Sequence, residues 1–327
     1  MLPSGEHPID LEKEQISYGT LSLVAGPDTC NARCPFCIAR MVPSKFVDRK
    51  AIPINTDQLK VALDRAVTGG SDTILITGNG EPTMFPDQIT QYLDEVDRFA
   101  RERMVTLRRE MQTNGLLFEQ QPERYDTYLR EWAAKGLQTI AVSVSHYAPE
   151  KNREIYTPHR PDYIDLVSLI NRIKGFGIRV RLTVVLMKGF IDSPEKVEKM
   201  IAFARDNNVE EISLLPVNEP NSSKDPHSSK WVHENRLTQD QLVAIQRHIE
   251  GGGRLVKEFG FGGKVFDYDG QNVCITDCIT PEPGINTERR LIFYPRGVMA
   301  HDWDDSTVIS TGNVPAESPS ALAFDQA

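Results

Sequence analysis

The sequence predicts an α/β fold organised around a parallel sheet. From residue 19 to about residue 250, strand-like apolar runs alternate with segments that have the spacing of amphipathic helices. Six such units follow one another, and this strict alternation favours parallel strands joined by right-handed crossovers. The 327 residues are 39% hydrophobic and 25% charged, which is ordinary for a globular protein of one or two domains.

The predicted strands and helices follow from apolar periodicity and from helix end signals. In chain order the strands are Thr20–Val24, Thr73–Thr77, Val105–Gln112, Thr139–Ser145, Ile178–Met187 and Ile212–Pro216. Five helices are predicted between these strands. The first is capped by Thr56 and runs through Val67, the next three are Asp87–Arg101, Glu123–Ala134 and Asp162–Lys174, and the last is capped by Ser193. Pro194, directly after Ser193, suits the first position of that last helix.

Three cysteines, Cys30, Cys34 and Cys37, follow the first predicted strand at C-x3-C-x2-C spacing. Three thiolates this close can hold three corners of a [4Fe–4S] cluster and leave the fourth iron open to a small molecule. A zinc site usually has four ligands, and the next cysteine is more than 200 residues away. A disulfide framework does not suit a chain with 5 Cys and no secretory signal.

The spacing of these cysteines, with the aromatic Phe36 before the last of them, resembles the radical S-adenosylmethionine (SAM) superfamily. The resemblance implies a partial (βα)6 TIM-type barrel, here with a small C-terminal cap. It also implies a [4Fe–4S] cluster held by Cys30, Cys34 and Cys37, with SAM bound to the fourth iron. In barrels of this type the chemistry takes place at the carboxyl ends of the strands, where the cysteine loop is predicted to lie.

A second motif, Gly78-Asn79-Gly80-Glu81-Pro82, follows the second predicted strand. Glycines allow a close approach of the backbone to a ligand. The motif resembles the GGEP motif of the same superfamily, with Asn79 in place of the first glycine. The resemblance implies that Gly78, Asn79, Gly80 and Glu81 bind the ammonium group of SAM; the alternative is an ordinary glycine-rich turn.

Polar residues at other strand ends complete the predicted site. Further SAM contacts are expected from Asn114, Ser143, Ser145 and Leu215, although the serines also suit an ordinary strand. Ser143 and Ser145 are two residues apart and therefore share one face of the strand. Substrate contacts or catalytic roles are expected from His146, Tyr147, Lys188 and Cys278.

Cys274 and Cys278 lie outside the first motif. Three interpretations remain open for them: ligands of an auxiliary cluster, a hydrogen-atom donor to a substrate radical, or buried structural thiols. The polar segment Asn218–Glu234 is predicted to be a long loop that forms a lid over the barrel mouth.

The expected domain organisation is an N-terminal extension over residues 1–18, the barrel over 19–250, a cap over 251–309 and a flexible tail over 310–327. A glycine-rich stretch begins at Gly251, and two short strands are predicted beyond it, Lys264–Tyr268 and Arg290–Tyr294.

The net charge of −9 argues against a nucleic-acid partner, and no run is apolar enough to predict a membrane span. We therefore expect a cytoplasmic enzyme that cleaves SAM reductively to a 5′-deoxyadenosyl radical. This radical would abstract hydrogen from a small metabolite such as a nucleoside, sugar or amino-acid derivative. An external electron donor such as flavodoxin or ferredoxin is implied. Alternatives are a peptide-modifying maturase with an auxiliary cluster and a non-catalytic metal-binding regulatory protein.

Overall fold

The computed structural model describes residues 16–220, 223–259, 263–276, 287–303 and 308–310. All its strands belong to one sheet of twelve, in the order β12-β11-β10-β1-β2-β3-β4-β5-β6-β9-β8-β7. The first six, which carry the predicted βα units, are β1 (Ser17–Val24), β2 (Thr73–Thr77), β3 (Arg108–Thr113), β4 (Thr139–Val144), β5 (Arg179–Leu186) and β6 (Glu211–Pro216). They pair in chain order and in parallel, which confirms the predicted α/β fold with a partial TIM-type barrel.

Ten α-helices in the described residues connect and follow these strands. They are α1 (Ile38–Met41), α2 (Thr56–Thr68), α3 (Pro86–Arg103), α4 (Leu116–Gln120), α5 (Pro122–Ala134), α6 (Pro149–Tyr156), α7 (Leu166–Gly175), α8 (Pro194–Asp206), α9 (Pro226–Asn235) and α10 (Gln239–Gly252). Within the described ranges, no helix is both long and apolar enough to cross a membrane.

The residues after 253 extend both edges of the barrel sheet. Their strands are β7 (Arg254–Glu258), β8 (Lys264–Tyr268), β9 (Gln271–Ile275), β10 (Thr287–Phe293), β11 (Met299–Ala300) and β12 (Val308–Ser310). β9 runs parallel to β6, and β10 runs parallel to β1. Arg289 donates a hydrogen bond to the Thr276 hydroxyl at 2.6 Å, which links the β10 side of the barrel opening to the end of β9. The C-terminal strands are thus part of the barrel wall, and the division of the chain at residue 250 stays a prediction.

The two faces of the sheet have different environments. One face packs against the helices through residues such as Val142, Leu182 and Ile212, all of them in the main apolar core. The alternate residues point to the barrel interior. Four of these, small and polar, lie in register across neighbouring strands: Ser143, Thr183, Ser213 and Cys274. The interior of the barrel therefore has a polar wall on the β4–β9 side.

Several predicted boundaries were wrong, and helix caps account for two of them. The N-cap of α2 is Asn55 and not Thr56, because the Asn55 side chain accepts a hydrogen bond from the backbone of Gln58 at 3.1 Å. β3 begins at Arg108, three residues later than predicted. α7 begins at Leu166, since Asp165 caps it by accepting from the backbone of Val167 and Ser168.

The predicted loop Asn218–Glu234 is also wrong, because its second half forms α9. Asp225 caps this helix by accepting from the backbone of His227 and Ser228, and Pro226 occupies the first helical position. The helix lies against the cysteine loop, where the Trp231 and Phe36 rings are 5.9 Å apart. The second half of the segment is thus a helix packed beside the cysteine loop.

Candidate functional site

The cysteine loop starts where β1 ends and closes into the short helix α1. The backbone of Ala25 still pairs with Thr77 of β2 at 2.7 Å, and the loop then leaves the sheet. Cys37 stands at the N-cap of α1, and its N–H donates to the carbonyl of Cys34 at 3.3 Å. A side-chain hydrogen bond from Arg40 to the same carbonyl of Cys34 further fixes this turn.

Cys30 is held from the neighbouring strand end by Asn114. The sulfur of Cys30 accepts from the backbone of Ala32 at 3.4 Å and from Asn114 Nδ2 at 3.9 Å. Asn114 Nδ2 also donates to Asn31 Oδ1 at 2.7 Å. Donors of this kind stabilise the negative charge of a ligating sulfur.

The three thiols are close enough to influence one another's ionisation. Burial against the protein, with smaller contributions from Glu81 and Cys37, raises the pKa of Cys30 to about 11 even though part of its side chain is exposed. Burial and the two other cysteines raise the pKa of Cys34 still further. These effects favour neutral thiols until a cation arrives, because a metal centre supplies the positive charge that thiolates need.

The glycine-rich loop after β2 packs directly on the cysteine loop. A Cβ atom at Gly80 would lie 2.0 Å from the carbonyl oxygen of Thr29, so only glycine fits there. The backbone N–H of Glu81 donates to the same oxygen at 2.9 Å. The residue next to Cys30 is thereby fixed to the predicted SAM-binding motif.

Glu81 joins the ends of β2 and β3. One carboxylate oxygen accepts from the Thr83 backbone at 3.0 Å and from the hydroxyls of Thr83 and Thr113 at 2.6 and 2.5 Å; the other accepts from the Asn114 backbone at 2.8 Å. Its burial raises the pKa, while the hydrogen bonds from Thr113 and Thr83 lower it. Glu81 thus positions Asn114, which in turn contacts Cys30.

Two buried polar atoms beside this junction have no hydrogen-bond partner among the described residues. They are Asn79 Oδ1, in the glycine-rich loop, and Asn31 Nδ2, next to Cys30. Buried polar groups are nearly always satisfied, so an unpaired acceptor and an unpaired donor here suit a polar ligand. The residues present therefore fit a cluster and SAM.

No three His, Cys, Asp or Glu side chains within the described ranges already surround a common point as ligands of a single metal ion would. A cubane cluster makes a different demand, because each of its cysteines binds a separate iron atom. Three thiols spread along one loop are compatible with that arrangement.

An apolar cluster, formed mainly by α1, α6, α9 and the ends of β5 and β6, flanks the cysteine loop on one side. Its buried members include Met41, Tyr156 and Met187, and Cys34 and Phe36 pack against it. The Phe36 and Tyr156 rings meet edge to face with centroids 6.5 Å apart. Phe36 thus anchors the cysteine loop to this cluster. Its role in cofactor binding stays a prediction.

The remaining predicted cofactor residues are divided between the barrel interior and the strand ends. Ser143 is half-buried and faces the interior, and Leu215 lies on the inward side of β6. Ser145 is fully buried, and its hydroxyl donates to Asn152 Oδ1 at 3.2 Å. Ser145 therefore holds the turn after β4, and of the two serines Ser143 is the one free to face a ligand.

Of the predicted substrate residues that the structure describes, His146 and Tyr147 are in contact, with ring centroids 4.2 Å apart. His146 accepts from the Ala148 backbone through Nδ1 at 2.9 Å, and its partial burial lowers the pKa. The Tyr147 ring lies 6.2 Å from Phe203 in the helical layer. Lys188 is exposed and directs its ammonium to the carbonyl of Glu234, 3.5 Å away, near the end of α9.

The two C-terminal cysteines have different status. Cys278 lies outside the described residues. Cys274 is buried in the barrel interior, and burial raises its pKa to about 12. It therefore stays a neutral thiol at physiological pH.

Three residues of the site escaped the sequence analysis. Asn152 is fully buried, and its amide oxygen accepts from the backbone of Ser145 at 2.8 Å. Tyr156 and Tyr163 place buried hydroxyls beside the cysteine loop. No local sequence signal marks these residues as part of a site. The only local signal is Pro149, which suits the first position of the helix that contains Asn152 and Tyr156.

Comparison with known proteins adds family information to this geometry. A family model described as the Radical SAM superfamily matches residues 26–204. A UPF0026 protein of Helicobacter pylori (strain ATCC 700392 / 26695) is 24% identical over 226 residues, covering 68% of this chain and 66% of that protein. A GTP 3',8-cyclase of Aquifex aeolicus (strain VF5) is 25% identical over 167 residues, covering 50% of this chain and 47% of that protein. The chain thus spans less than two thirds of these relatives' length.

Among solved structures, Streptococcus suis SuiB bound to S-adenosylmethionine is similar in fold. The TM-score is 0.56 at 17% sequence identity, over 89% of this chain and 62% of that one. At this identity the likeness concerns the fold.

Proposed function

The chain belongs to the radical SAM superfamily, and we propose from this premise that Cys30, Cys34 and Cys37 hold its [4Fe–4S] cluster. It is an enzyme of that family, with the cluster and SAM as cofactors. A bound and reduced cluster would supply the one electron that cleaves SAM to methionine and a 5′-deoxyadenosyl radical, which would abstract hydrogen from the substrate.

The observation that carries the proposal is the direct contact between the two predicted motifs. The carbonyl of Thr29, next to Cys30, accepts from Glu81, and Asn114 connects the Glu81 carboxylate to the Cys30 sulfur. A ligand bound between these loops would be held against the cluster position by rigid strand ends. Such preorganisation is what a site for radical chemistry needs, because the reactive carbon must be held close to its target.

We assign the SAM contacts to groups that remain available around this junction. Asn79 Oδ1 and the backbone of Gly78 and Gly80 would hold the ammonium group, and Ser143 would contact the ribose. Leu215 would support the adenine at the end of β6. Glu81 would favour SAM binding by positioning the two loops, in addition to any direct contact with SAM.

The substrate we propose is a small polar metabolite such as a nucleoside, sugar or amino-acid derivative. The polar row of Ser143, Thr183 and Ser213 inside the barrel supports this choice, since hydroxyls can hydrogen-bond a polar ligand. A nucleoside derivative is further supported by the relative whose name states that it acts on GTP. His146, Tyr147, Lys188 and Cys278 remain candidates for contact with it.

The electron for the reaction is proposed to come from an external donor such as flavodoxin or ferredoxin. Reduced thiols are typical of the cytoplasm, which we propose as the location of the enzyme.

The test is to replace Cys30, Cys34 and Cys37 singly by Ala and to measure iron content and 5′-deoxyadenosine after anaerobic reconstitution. Each variant is expected to lose the cluster absorbance and SAM cleavage, because each removes one of three thiolates. Cys274→Ala is the matched control and should keep both. Full 5′-deoxyadenosine production by Cys34→Ala would contradict the assignment.

The variant lacking all three cysteines separates the alternatives. We expect it to bind almost no iron, because Cys274 and Cys278 alone offer too few thiolates for a cluster. Retained iron and sulfide would instead establish an auxiliary cluster, as in a peptide-modifying maturase. A wild-type protein that binds zinc and never cleaves SAM would favour the regulatory alternative.

A further inference from the structure

Two buried tyrosine hydroxyls beside the cysteine loop have no hydrogen-bond partner within the described part of the chain. They belong to Tyr156, at the end of α6, and Tyr163, in the loop after it. Tyr156 is only 2% exposed. Leaving a buried hydroxyl without a partner is unfavourable, so two of them in neighbouring tyrosines call for a functional explanation.

Tyr156 and Tyr163 pack beside the cysteine loop through several contacts. The carbonyl of Tyr156 accepts from the backbone N–H of Arg33 at 2.8 Å, which fixes the residue next to Cys34. The Phe36 ring meets Tyr156 edge to face, and the rings of Tyr156 and Tyr163 are 6.2 Å apart. Cys34 and Tyr163 pack against the same apolar cluster that contains Tyr156. Burial raises the pKa of both phenols, and a negative charge on Cys34 would raise it further.

The side chains of the apolar cluster that contains Tyr156 offer no strong hydrogen-bond acceptor. The other members of this apolar cluster are mainly aliphatic, such as Met41, Val185 and Met187. The sulfur atoms of a cluster with its thiolate ligands carry negative charge and lack protons, so they accept hydrogen bonds. A phenol needs an acceptor, and the Cys34 corner of a bound cluster supplies one.

We propose that Tyr156 and Tyr163 donate hydrogen bonds to sulfur at the Cys34 corner of the cluster and thereby raise its reduction potential. The inference rests on the proposed assignment of the cluster to Cys30, Cys34 and Cys37. Hydrogen bonds to sulfur stabilise the reduced cluster more than the oxidised one, because the reduced form has the greater negative charge. The two tyrosines would thus ease reduction by the external donor without touching SAM or substrate.

The experiment is a redox titration of the reconstituted enzyme monitored by electron paramagnetic resonance. The variants are Tyr156→Phe, Tyr163→Phe and the double variant, each of which removes hydroxyls and keeps the rings. Tyr128→Phe is the matched control, since its hydroxyl donates to Asp87 on α3, away from the cysteine loop. Iron per chain is measured for every protein.

We expect each hydroxyl removal to lower the reduction potential while iron per chain stays at the wild-type value. A tenfold shift in the one-electron equilibrium corresponds to about 59 mV, and we expect the double variant to reach that factor. Tyr128→Phe should match wild type. Unchanged potentials in both single variants and the double variant would overturn the inference.

Two further readouts keep the inference testable. If phenylalanine variants lose iron, Tyr156→3-fluorotyrosine keeps the hydroxyl and makes it a stronger donor, so the potential should rise; no rise would overturn the inference. A wild-type protein that assembles no cluster would refute the proposed function itself, whereas a loaded cluster with an insensitive potential refutes only the role of the tyrosines.

Discussion

Glu81 is the residue on which the geometry of the site most directly depends. Its buried carboxylate accepts four hydrogen bonds, which come from Thr83, Thr113 and Asn114. Replacing it by Ala would leave these donors unsatisfied in a buried position. Since one buried unsatisfied group costs about 1–3 kcal/mol, we expect Glu81→Ala to lower the free energy of unfolding by about 3 kcal/mol or more.

The same variant should bind SAM more weakly and keep its iron, because Glu81 orders the SAM-binding loop and does not bind the cluster. Urea unfolding gives the stability, calorimetry the SAM affinity and a colorimetric assay the iron. Thr83→Val removes a single hydroxyl donor and should cost only about 1 kcal/mol. Equal stability of Glu81→Ala and wild type would show that the four contacts contribute nothing.

Cys30 provides a test of the electrostatics of the site before the cluster is present. Its pKa is raised to about 11, mainly by burial, so at pH 7 the thiol is neutral. Because the thiolate is the nucleophile, alkylation of Cys30 by iodoacetamide should accelerate about tenfold per pH unit and level off only near pH 11. Peptide mapping by mass spectrometry measures the rate at this one cysteine.

Chain unfolded in urea is the control, where the plateau should come near the ordinary thiol pKa of about 8.5. Because the folded chain holds the Cys30 proton more tightly than the unfolded chain, protonation of Cys30 stabilises the folded apoprotein. This stabilisation is fully present below about pH 8.5 and is lost as the pH rises toward 11. A plateau below pH 9 in the folded protein would contradict the buried environment of the sulfur.

Residues of the site could be predicted from the sequence where they belong to a short motif. Cys30 and Glu81 are recognisable because each lies in a compact motif, and the structure brings these motifs into contact through Thr29. Tyr156 and Tyr163 could not be predicted, since a tyrosine looks the same in sequence whether its hydroxyl is bonded or free. Their relation to Cys34 arises only when α6 packs on a loop more than 100 residues earlier.

At the scale of single elements, the start of α2 shows which of two possible N-cap residues the helix uses. Both Asn55 and Thr56 are good N-cap residues, and the choice depends on backbone geometry. The Asn55 side chain accepts from Gln58, while its backbone N–H donates to the carbonyl of Pro295 at 2.7 Å. The position of the cap is therefore set by a contact with the C-terminal part of the chain.

We expect Asn55→Ala to lower the free energy of unfolding by about 1 kcal/mol, because the helix loses the acceptor for an N-terminal N–H. Thr56→Ala, one residue inside the helix, is the matched control and should change stability by less than half of that. Urea denaturation of both variants under one set of conditions measures the difference. The opposite order would restore Thr56 as the cap.

All six strands of the predicted βα units are present in the structure, and β2 shows a physical reason. A strand such as β2 is buried on both faces, so its apolar run is unbroken and its ends are sharp. α9 is different, since its polar sequence hides it, although the pair Asp225-Pro226 carries a start signal. The polar composition of this segment predicts a loop, whereas the start signal at Asp225-Pro226 agrees with the helix that the structure shows.

For the whole molecule, what the sequence could not predict is which strands flank the barrel. β9 and β10 are adjacent to β6 and β1 respectively, and pairing between strands far apart in sequence has no local signature. Their inclusion changes how the molecule should respond to truncation. A cap would be dispensable for folding of the barrel, whereas wall strands would not.

We therefore expect a chain that ends at Gly253 to fail to fold cooperatively. The main-core side chains that it would lack include Phe266, Val273, Ile275, Leu291 and Phe293. At about 2 kcal/mol each, their burial is worth about 10 kcal/mol, which is comparable with the whole stability of a typical domain. The truncation also uncovers the hydrogen-bonding edges of β1 and β6, which favours aggregation.

Near-ultraviolet circular dichroism and urea unfolding of the truncated and full chains, both prepared without cluster, measure the effect. The full chain should unfold in one cooperative transition, and the truncated chain should lack fixed aromatic signals and show no such transition. A truncated chain that unfolds cooperatively, within about 2 kcal/mol of the full chain, would contradict the role of β9 and β10 as wall strands, because burial on this scale cannot be removed from a core at so small a cost. That outcome would instead support a division of the chain at residue 250.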